Sequence, residues 1–262
     1  MNFLNKKEQK KTKTFLETGY IISKVENISS LKYISSLISK AINQQLKKKK
    51  SLNLNKIHEK ISIEELNNFR LGIINKINKD KLLRYHYFNI AREALYVLAG
   101  NELMMQKNIN LSIQFPNDNS SLLPIHSDVW SGDSPYEINL WVPLVNCYKT
   151  KSMYILEQKD YADFKKKMQK NQYSSSKDIF KLVKNKVRWL NVDYGQFLIF
   201  NQALPHGNIV NIEKETRWSM NCRFKSFFSP YGDKKVGEFF LPITTRAISE
   251  IGMNFEYPFN KR

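Results

Sequence analysis

The chain has 262 residues, 42% hydrophobic and 13% aromatic, enough for one large β-rich domain with helical elaboration or for two small domains. No stretch approaches the roughly 20 apolar residues of a membrane span, and the polar start MNFLNKKEQKKTKTF lacks the apolar centre of a secretory signal. The formal net charge is +18, and half of it lies in residues 1–50, which hold twelve Lys and three Glu.

The first dozen residues show no clear periodicity. Residues 29–47 place Leu31, Ile34, Leu37, Ile38, Ile42 and Leu46 at three-to-four spacing, which predicts an amphipathic helix. Lys47 to Lys50 suit its C-terminal end, where cations meet the negative end of the dipole. Ser62-Ile-Glu-Glu65 is a capping-box sequence opening a second helix, with Leu66, Phe69, Ile73, Ile74 and Ile77 on one stripe. Residues 81–100 read as one further helix, stopped by Gly100. Residues 1–100 are therefore expected to form a mostly helical N-terminal part. The pattern changes after Asn101. Residues 110–116 alternate, and 138–145, 153–156, 187–192, 196–201 and 217–228 are short runs of β-branched and aromatic residues bounded by turn residues. Such a series predicts a sandwich or barrel over 101–262. Residues 157–186 are polar and Lys-rich, a helical or mobile insert.

The chemistry concentrates in few residues. In a strand, residues i and i+2 share a face, so His126 and Asp128 at a strand end present an imidazole and a carboxylate side by side. His206 follows the apolar strand Gly195–Phe200 and Pro205, where a strand end can deliver it to the same pocket. Two His and one carboxylate on one face leave about three positions of an octahedral metal open, the arrangement of non-haem Fe(II) oxygenases. The other two histidines, His58 and His86, fall in helical segments without ligand spacing and read as surface or core residues. The strand from Arg217 to Phe224 has two faces. Arg217, Ser219, Asn221 and Arg223 line one; Trp218, Met220, Cys222 and Phe224 line the other. A packed back and a cavity-lining front follow, with Arg217 able to take a carboxylate in a bidentate pair.

The order H-x-D, long gap, strand, His, short gap, Arg resembles the Fe(II)/2-oxoglutarate-dependent dioxygenases, in particular the phytanoyl-CoA dioxygenase-like branch. Ser112–Asp118, Leu123–Tyr136 and Tyr148–Ile155 resemble a narrower group, the 2-oxoglutarate oxygenases of bacterial carbohydrate-biosynthesis clusters related to a streptomycin-biosynthesis protein. The resemblance covers roughly residues 100–255. It implies a double-stranded β-helix (jelly roll, cupin-like) with the N-terminal helices packed on one sheet. It implies Fe(II) held by His126, Asp128 and His206, with Arg217 gripping the distal carboxylate of 2-oxoglutarate, and O2 as second co-substrate. It also implies an oxidoreductase acting on a C–H bond of a small metabolite, a sugar, nucleotide sugar or glycan precursor.

Further co-substrate candidates are Gln114, beside Ser112 on the strand before the H-x-D, and the hydroxyls of Thr150 and Ser152. For the substrate, Trp130 and Tyr136 flank a turn-rich loop after the ligands, while Asn139 and Arg223 lie on cavity-facing strand positions. The expected partner is an anionic or saccharide small molecule. Without an RNP motif, zinc finger or Arg-rich recognition helix, the basic skew does not point to nucleic acid. Two cysteines, Cys147 and Cys222, are too few for a disulfide framework and fit a reducing, cytoplasmic location. Two alternatives stand beside the oxygenase: a non-catalytic metal-binding jelly-roll module, and a basic protein binding nucleic acid or a membrane surface.

Overall fold

The structure is a computed structural model that describes residues 3–48, 50, 52–170 and 175–259. In chain order the elements are α1 (Lys6–Thr18), β1 (Tyr20–Lys24), α2 (Ile28–Leu46), α3 (Ile63–Ile77), α4 (Leu83–Asn89), α5 (Arg92–Ala99), β2 (Leu103–Gln106), β3 (Asn110–Gln114), β4 (Glu137–Pro143) and β5 (Tyr154–Leu156). There follow α6 (Gln158–Lys170), α7 (Ser176–Val183), β6 (Val187–Trp189), β7 (Gln196–Asn201), β8 (His206–Gly207), β9 (Arg217–Ser226), β10 (Phe240–Pro242) and α8 (Ala247–Met253).

Mixed helix and antiparallel sheet describes the fold. The larger sheet runs β1-β7-β4-β9-β2-β10, with β3 beside β2 on the same edge of β9. The smaller runs β6-β5-β8, and an isolated bridge from His206 to His126 extends it. Trp218, Met220, Cys222 and Phe224, the apolar face of β9, are fully buried and join one cluster with Leu31, Ile38, Phe69, Ile73 and Leu95 of the helices. Burying a large apolar side chain stabilises by roughly 1.5–3 kcal/mol, so this face fixes the sheet against the helical layer. The opposite face of β9 is thereby turned toward the smaller sheet.

Three local expectations change. Asn5 caps α1 in a capping box with Glu8, so the early Lys-rich stretch is helical from Lys6. Tyr20–Lys24 is a strand on the edge of the larger sheet, inside the part expected to be mostly helical. Residues 81–100 form two helices rather than one. The chain breaks at Ala91 (φ −142°, ψ 29°), and Glu26 accepts hydrogen bonds from the Glu93 and Ala94 amides at 2.7 and 3.1 Å, capping the second helix from a distant segment. Lys47 closes α2 in a left-handed conformation (φ 53°); Lys49 of the Lys47–Lys50 run lies outside the described residues.

The Lys-rich insert is two helices, α6 and α7, with residues 171–174 of it outside the described residues. Phe164 and Val183 pack with Ile125, Tyr154 and Leu156 on the outer side of the smaller sheet. Each sheet thus has a covered back, and the inner faces enclose a cavity.

Candidate metal centre

His126 and His206 face each other across an antiparallel bridge. Each backbone N–H donates to the other's carbonyl, at 2.9 and 2.8 Å. Directly paired residues point to one side of a sheet, so the rings lie together with centroids 4.3 Å apart. Asp128 opens a 3-10 turn (Asp128–Ser131), its amide held by the Gln202 carbonyl at 3.1 Å. Asp128 Oδ1 lies 3.4 Å from His126 Nε2 and 3.9 Å from His206 Nε2. One candidate ligand atom from each residue falls within 4.8 Å of the others.

Each ring is oriented by its own backbone. His126 Nδ1 meets the Pro124 carbonyl and His206 Nδ1 the Leu204 carbonyl, both at 2.8 Å. A carbonyl can only accept, so Nδ1 carries a hydrogen in both rings, which leaves Nε2, the atom on the Asp128 side, to ligate a metal once it is free of its proton. Burial, aided by the neighbouring His126, pushes His206 down to about 4, so it is neutral at physiological pH. Burial also lowers His126, but hydrogen bonds to Asp128 and the Pro124 carbonyl outweigh it and leave the ring raised. Burial raises Asp128, yet the hydrogen bond from His126, the His206 ring (charged only at the low pH where the carboxyl would protonate) and the Arg223 guanidinium hold it well below the carboxylate range. The donor set is one neutral imidazole, one that must give up its proton to bind, and an ionised carboxylate, which suits a divalent metal.

Behind this cluster, Arg223 donates through Nη2 to Asp128 Oδ2 at 3.0 Å and through Nε to Gln202 Oε1 at 2.9 Å. It also pairs with buried Asp133 at 3.2 Å, which in turn takes Lys234 at 2.6 Å. The sequence suggested Arg223 for the substrate; it lines the cavity, and its polar contacts are with Asp128, Asp133 and Gln202. Gln202 was not singled out from the sequence, because only the fold brings it there.

The polar face of β9 lines a cavity of about 230 Å³ together with His126, Asp128 and His206. At its far end Arg217 is 3% exposed, and burial pushes it down to about 10, so it stays charged. Its Nη1 donates to the Ser152 carbonyl at 3.1 Å and its Nη2 to Ser112 Oγ at 2.9 Å; among the described residues no carboxylate pairs with it. Arg217 Nε, Ser152 Oγ, Ser219 Oγ, Asn139 Oδ1 and Gln114 Oε1 are buried without a hydrogen-bond partner among the described residues. Leaving such a group unsatisfied costs about 1–3 kcal/mol. Of these, the donors Arg217 Nε, Ser152 Oγ and Ser219 Oγ lie on or beside the unpaired guanidinium and fit a bound carboxylate, whereas the oxygens of Gln114 and Asn139 can only accept.

The remaining sequence candidates divide. Gln114 is the register partner of Arg217 and donates to the Ile209 carbonyl at 2.7 Å. Ser152 touches Arg217, and Asn139 lines the cavity. Thr150 stands apart: its hydroxyl donates to Glu213 at 3.3 Å and accepts from the Ile212 amide at 3.1 Å. Trp130 and Tyr136 are exposed and not part of the cavity lining; Trp130 stacks against Phe164 of α6 at 6.3 Å. His58 bonds Thr216 Oγ1 at 2.8 Å and His86 bonds Ser30 at 3.0 Å while stacked on Tyr33, so both have structural partners. Cys147 and Cys222 are free and buried.

The sequence matches no protein-family model and no curated protein. The fold is shared with solved structures that include non-haem and α-ketoglutarate-dependent enzymes. The non-haem α-ketoglutarate-dependent carbocyclase SnoK from nogalamycin biosynthesis aligns over 92% of this chain and 97% of its own, at 13% identity and TM-score 0.56. HygX from Streptomyces hygroscopicus, solved with nickel and 2-oxoglutarate, aligns over 89% and 90% at 10% identity and TM-score 0.51. The nickel complex of the non-haem monooxygenase ThoJ aligns over 91% and 85% at 12% identity and TM-score 0.52. At such identities the likeness concerns the fold, and the site must be argued from its own residues.

Proposed function

We propose that the chain is an Fe(II)- and 2-oxoglutarate-dependent oxygenase on a double-stranded β-helix, with residues 101–262 as core and 1–100 as the layer packed on it. One observation carries the reading. A single cavity holds a two-His, one-Asp cluster at one end and, at the other, a buried guanidinium with no acidic partner among the described residues. A metal-binding module without turnover has no use for the second feature.

His126, Asp128 and His206 hold the metal, presenting Nε2, Oδ1 and Nε2. Arg217, with the hydroxyls of Ser112, Ser152 and Ser219 nearby, takes the distal carboxylate of 2-oxoglutarate. When bound, iron supplies the redox chemistry that couples 2-oxoglutarate and O2 to oxidation of a substrate C–H bond, yielding succinate, CO2 and hydroxylated product. The chain's task is positional: both imidazoles keep Nδ1 on backbone carbonyls, Arg223 keeps Asp128 ionised and oriented, and the apolar sides of Met153, Trp141 and Phe200 limit water.

The phytanoyl-CoA dioxygenase-like placement, the saccharide-type substrate and a cytoplasmic location rest on the motif resemblance and the reduced cysteines. Among the described residues no helix is long and apolar enough to cross a membrane. Anaerobic titration with Fe(II) and then 2-oxoglutarate tests the reading. A weak visible charge-transfer band is expected, lost in His126→Ala and Asp128→Ala. Folded protein that gives no band, and no succinate under oxygen, refutes it.

A further inference from the structure

The metal cavity is small. Its volume of about 230 Å³ lies below the roughly 300–1,000 Å³ of ordinary small-molecule sites. If Arg217 takes 2-oxoglutarate, little of that room remains for a substrate. A second cavity of about 490 Å³ adjoins it between α3 and β3. Asn110, Ser112, Leu123 and Asn221 line both, so these four residues form the boundary between the two spaces.

The walls of the second cavity follow from the sequence. On α3, Leu66, Phe69, Ile73 and Ile77 form the buried stripe. Ile63, Asn67, Arg70 and Ile74, at spacings of four, three and four, form the neighbouring stripe that faces the cavity. Arg70 donates to Asn67 Oδ1 at 2.8 Å, and among the described residues no carboxylate pairs with it. Opposite stand Asn110 and Asn221, register partners across β3 and β9, so their side chains lie side by side at the junction with the metal cavity. The remaining wall is the loop from Ser120 to Leu123, and its geometry is fixed. Asp118 accepts from the Ser120 amide at 2.7 Å and from Ser121 Oγ at 2.9 Å. Leu123 is tied through its amide and its carbonyl to Asn208, two residues beyond the ligand His206.

We infer that this second cavity is the substrate site, and that it takes a small hydroxyl-bearing anion whose phosphate or carboxylate is anchored by Arg70 and whose hydroxyls meet the paired carboxamides of Asn110 and Asn221. The inference rests on the oxygenase reading of the metal cavity and adds the substrate's place and charge. A guanidinium matches planar or tetrahedral oxyanions, and two carboxamides supply both donors and acceptors to vicinal hydroxyls. The shared boundary then places the oxidised carbon beside Asn221, where the second cavity borders the metal cavity.

Full-length protein loaded with Ni(II) and 2-oxoglutarate tests this without turnover. Glucose 6-phosphate, glucuronate and neutral glucose serve as probes, and binding is read by saturation-transfer NMR and calorimetry. One or both anionic probes should bind more tightly than glucose, and which one does separates phosphate from carboxylate. Arg70→Gln should weaken the preferred anion by roughly ten- to a hundredfold, while Arg70→Lys should recover part of the loss. Thermal unfolding of each variant shows that the fold is kept. No preference for an anion over glucose overturns the inference, as does a preference that Arg70→Gln leaves in place. Failure of wild-type protein to bind 2-oxoglutarate in the same samples refutes the oxygenase reading instead, so the two failures are distinguishable.

Discussion

Arg223 holds Asp128 by one oxygen only. Its guanidinium donates to Oδ2 at 3.0 Å, and Oδ1 is left 3.4 Å from the Nε2 of His126. The arrangement divides the carboxylate into a braced half and a ligating half. Arg223→Ala should therefore weaken divalent-metal binding by roughly 10–100-fold, as loss of such supporting contacts does elsewhere. Arg223→Lys should restore little, because one ammonium cannot span Asp128 and Gln202 as the planar fork does. Calorimetry with Co(II) measures both; an unchanged affinity in folded protein speaks against the brace.

Metal uptake should release one proton per ion near pH 6, not two. His206, lowered to about 4, is already neutral there, whereas His126 is raised and still largely protonated, and Asp128 is ionised. A metal competes only with the proton on His126, so affinity should rise about tenfold per pH unit up to the pKa of His126 and then level off. Below about pH 4 His206 also protonates, and a second proton should appear. Calorimetry in buffers of different ionisation enthalpy counts the protons; two at pH 6 would place His206 wrongly.

Arg217→Met separates binding from folding. Removing a buried charge without an acidic partner relieves a desolvation cost, while Ser152 and Ser112 lose a donor. The two should cancel to within about 1 kcal/mol of stability. Affinity for 2-oxoglutarate should nonetheless fall by at least roughly a hundredfold, because a charge-assisted bidentate contact is lost. A 2-oxoglutarate titration followed by thermal shift reads both quantities. Large destabilisation with retained affinity would make Arg217 a structural residue.

Gly207 lies between the ligand His206 and Asn208 with no room for a side chain. A Cβ there would sit 2.7 Å from Tyr154 Oη, 2.8 Å from the Leu123 carbonyl oxygen and 3.0 Å from the Pro124 carbonyl carbon. Two of these atoms belong to the backbone leading into His126. Gly207→Ala should cost about 1–3 kcal/mol of stability and weaken metal binding as well, since the strand carrying one ligand must move from the other. Unfolding measured with and without Co(II) checks the coupling: the metal-induced rise in Tm should shrink.

Much of the site was legible because it depends on short periods. The i, i+2 spacing of His126 and Asp128 and the alternation along Arg217–Phe224 are local facts, and β9 turns its polar residues into the cavity as that alternation requires. Where the sequence misled, the deciding partner was distant. The break at Ala91 depends on Glu26 capping α5, and nothing within 81–100 announces it. Arg223 lines the cavity as its strand position suggests, but its ties to Asp128 and Asp133 of one loop and to Gln202 of another segment appear only in the folded chain. Thr150 and Trp130 looked available because their neighbours Glu213 and Phe164 meet them only in the folded chain. The helix α1 is different: Asn5 and Glu8 spell a capping box, masked by the surrounding lysines.

The insert formed by α6 and α7 falls between the ligands in sequence but outside the cavity in space. A chain nicked within it would consist of two fragments. The first would carry His126 and Asp128; the second would carry His206, Arg217 and Arg223. They would interleave, since β7 of the second inserts between β1 and β4 of the first, and β9 between β4 and β2. Neither fragment alone could hold the ion, so metal capture by a nicked protein would report, quantitatively, that its halves had found each other.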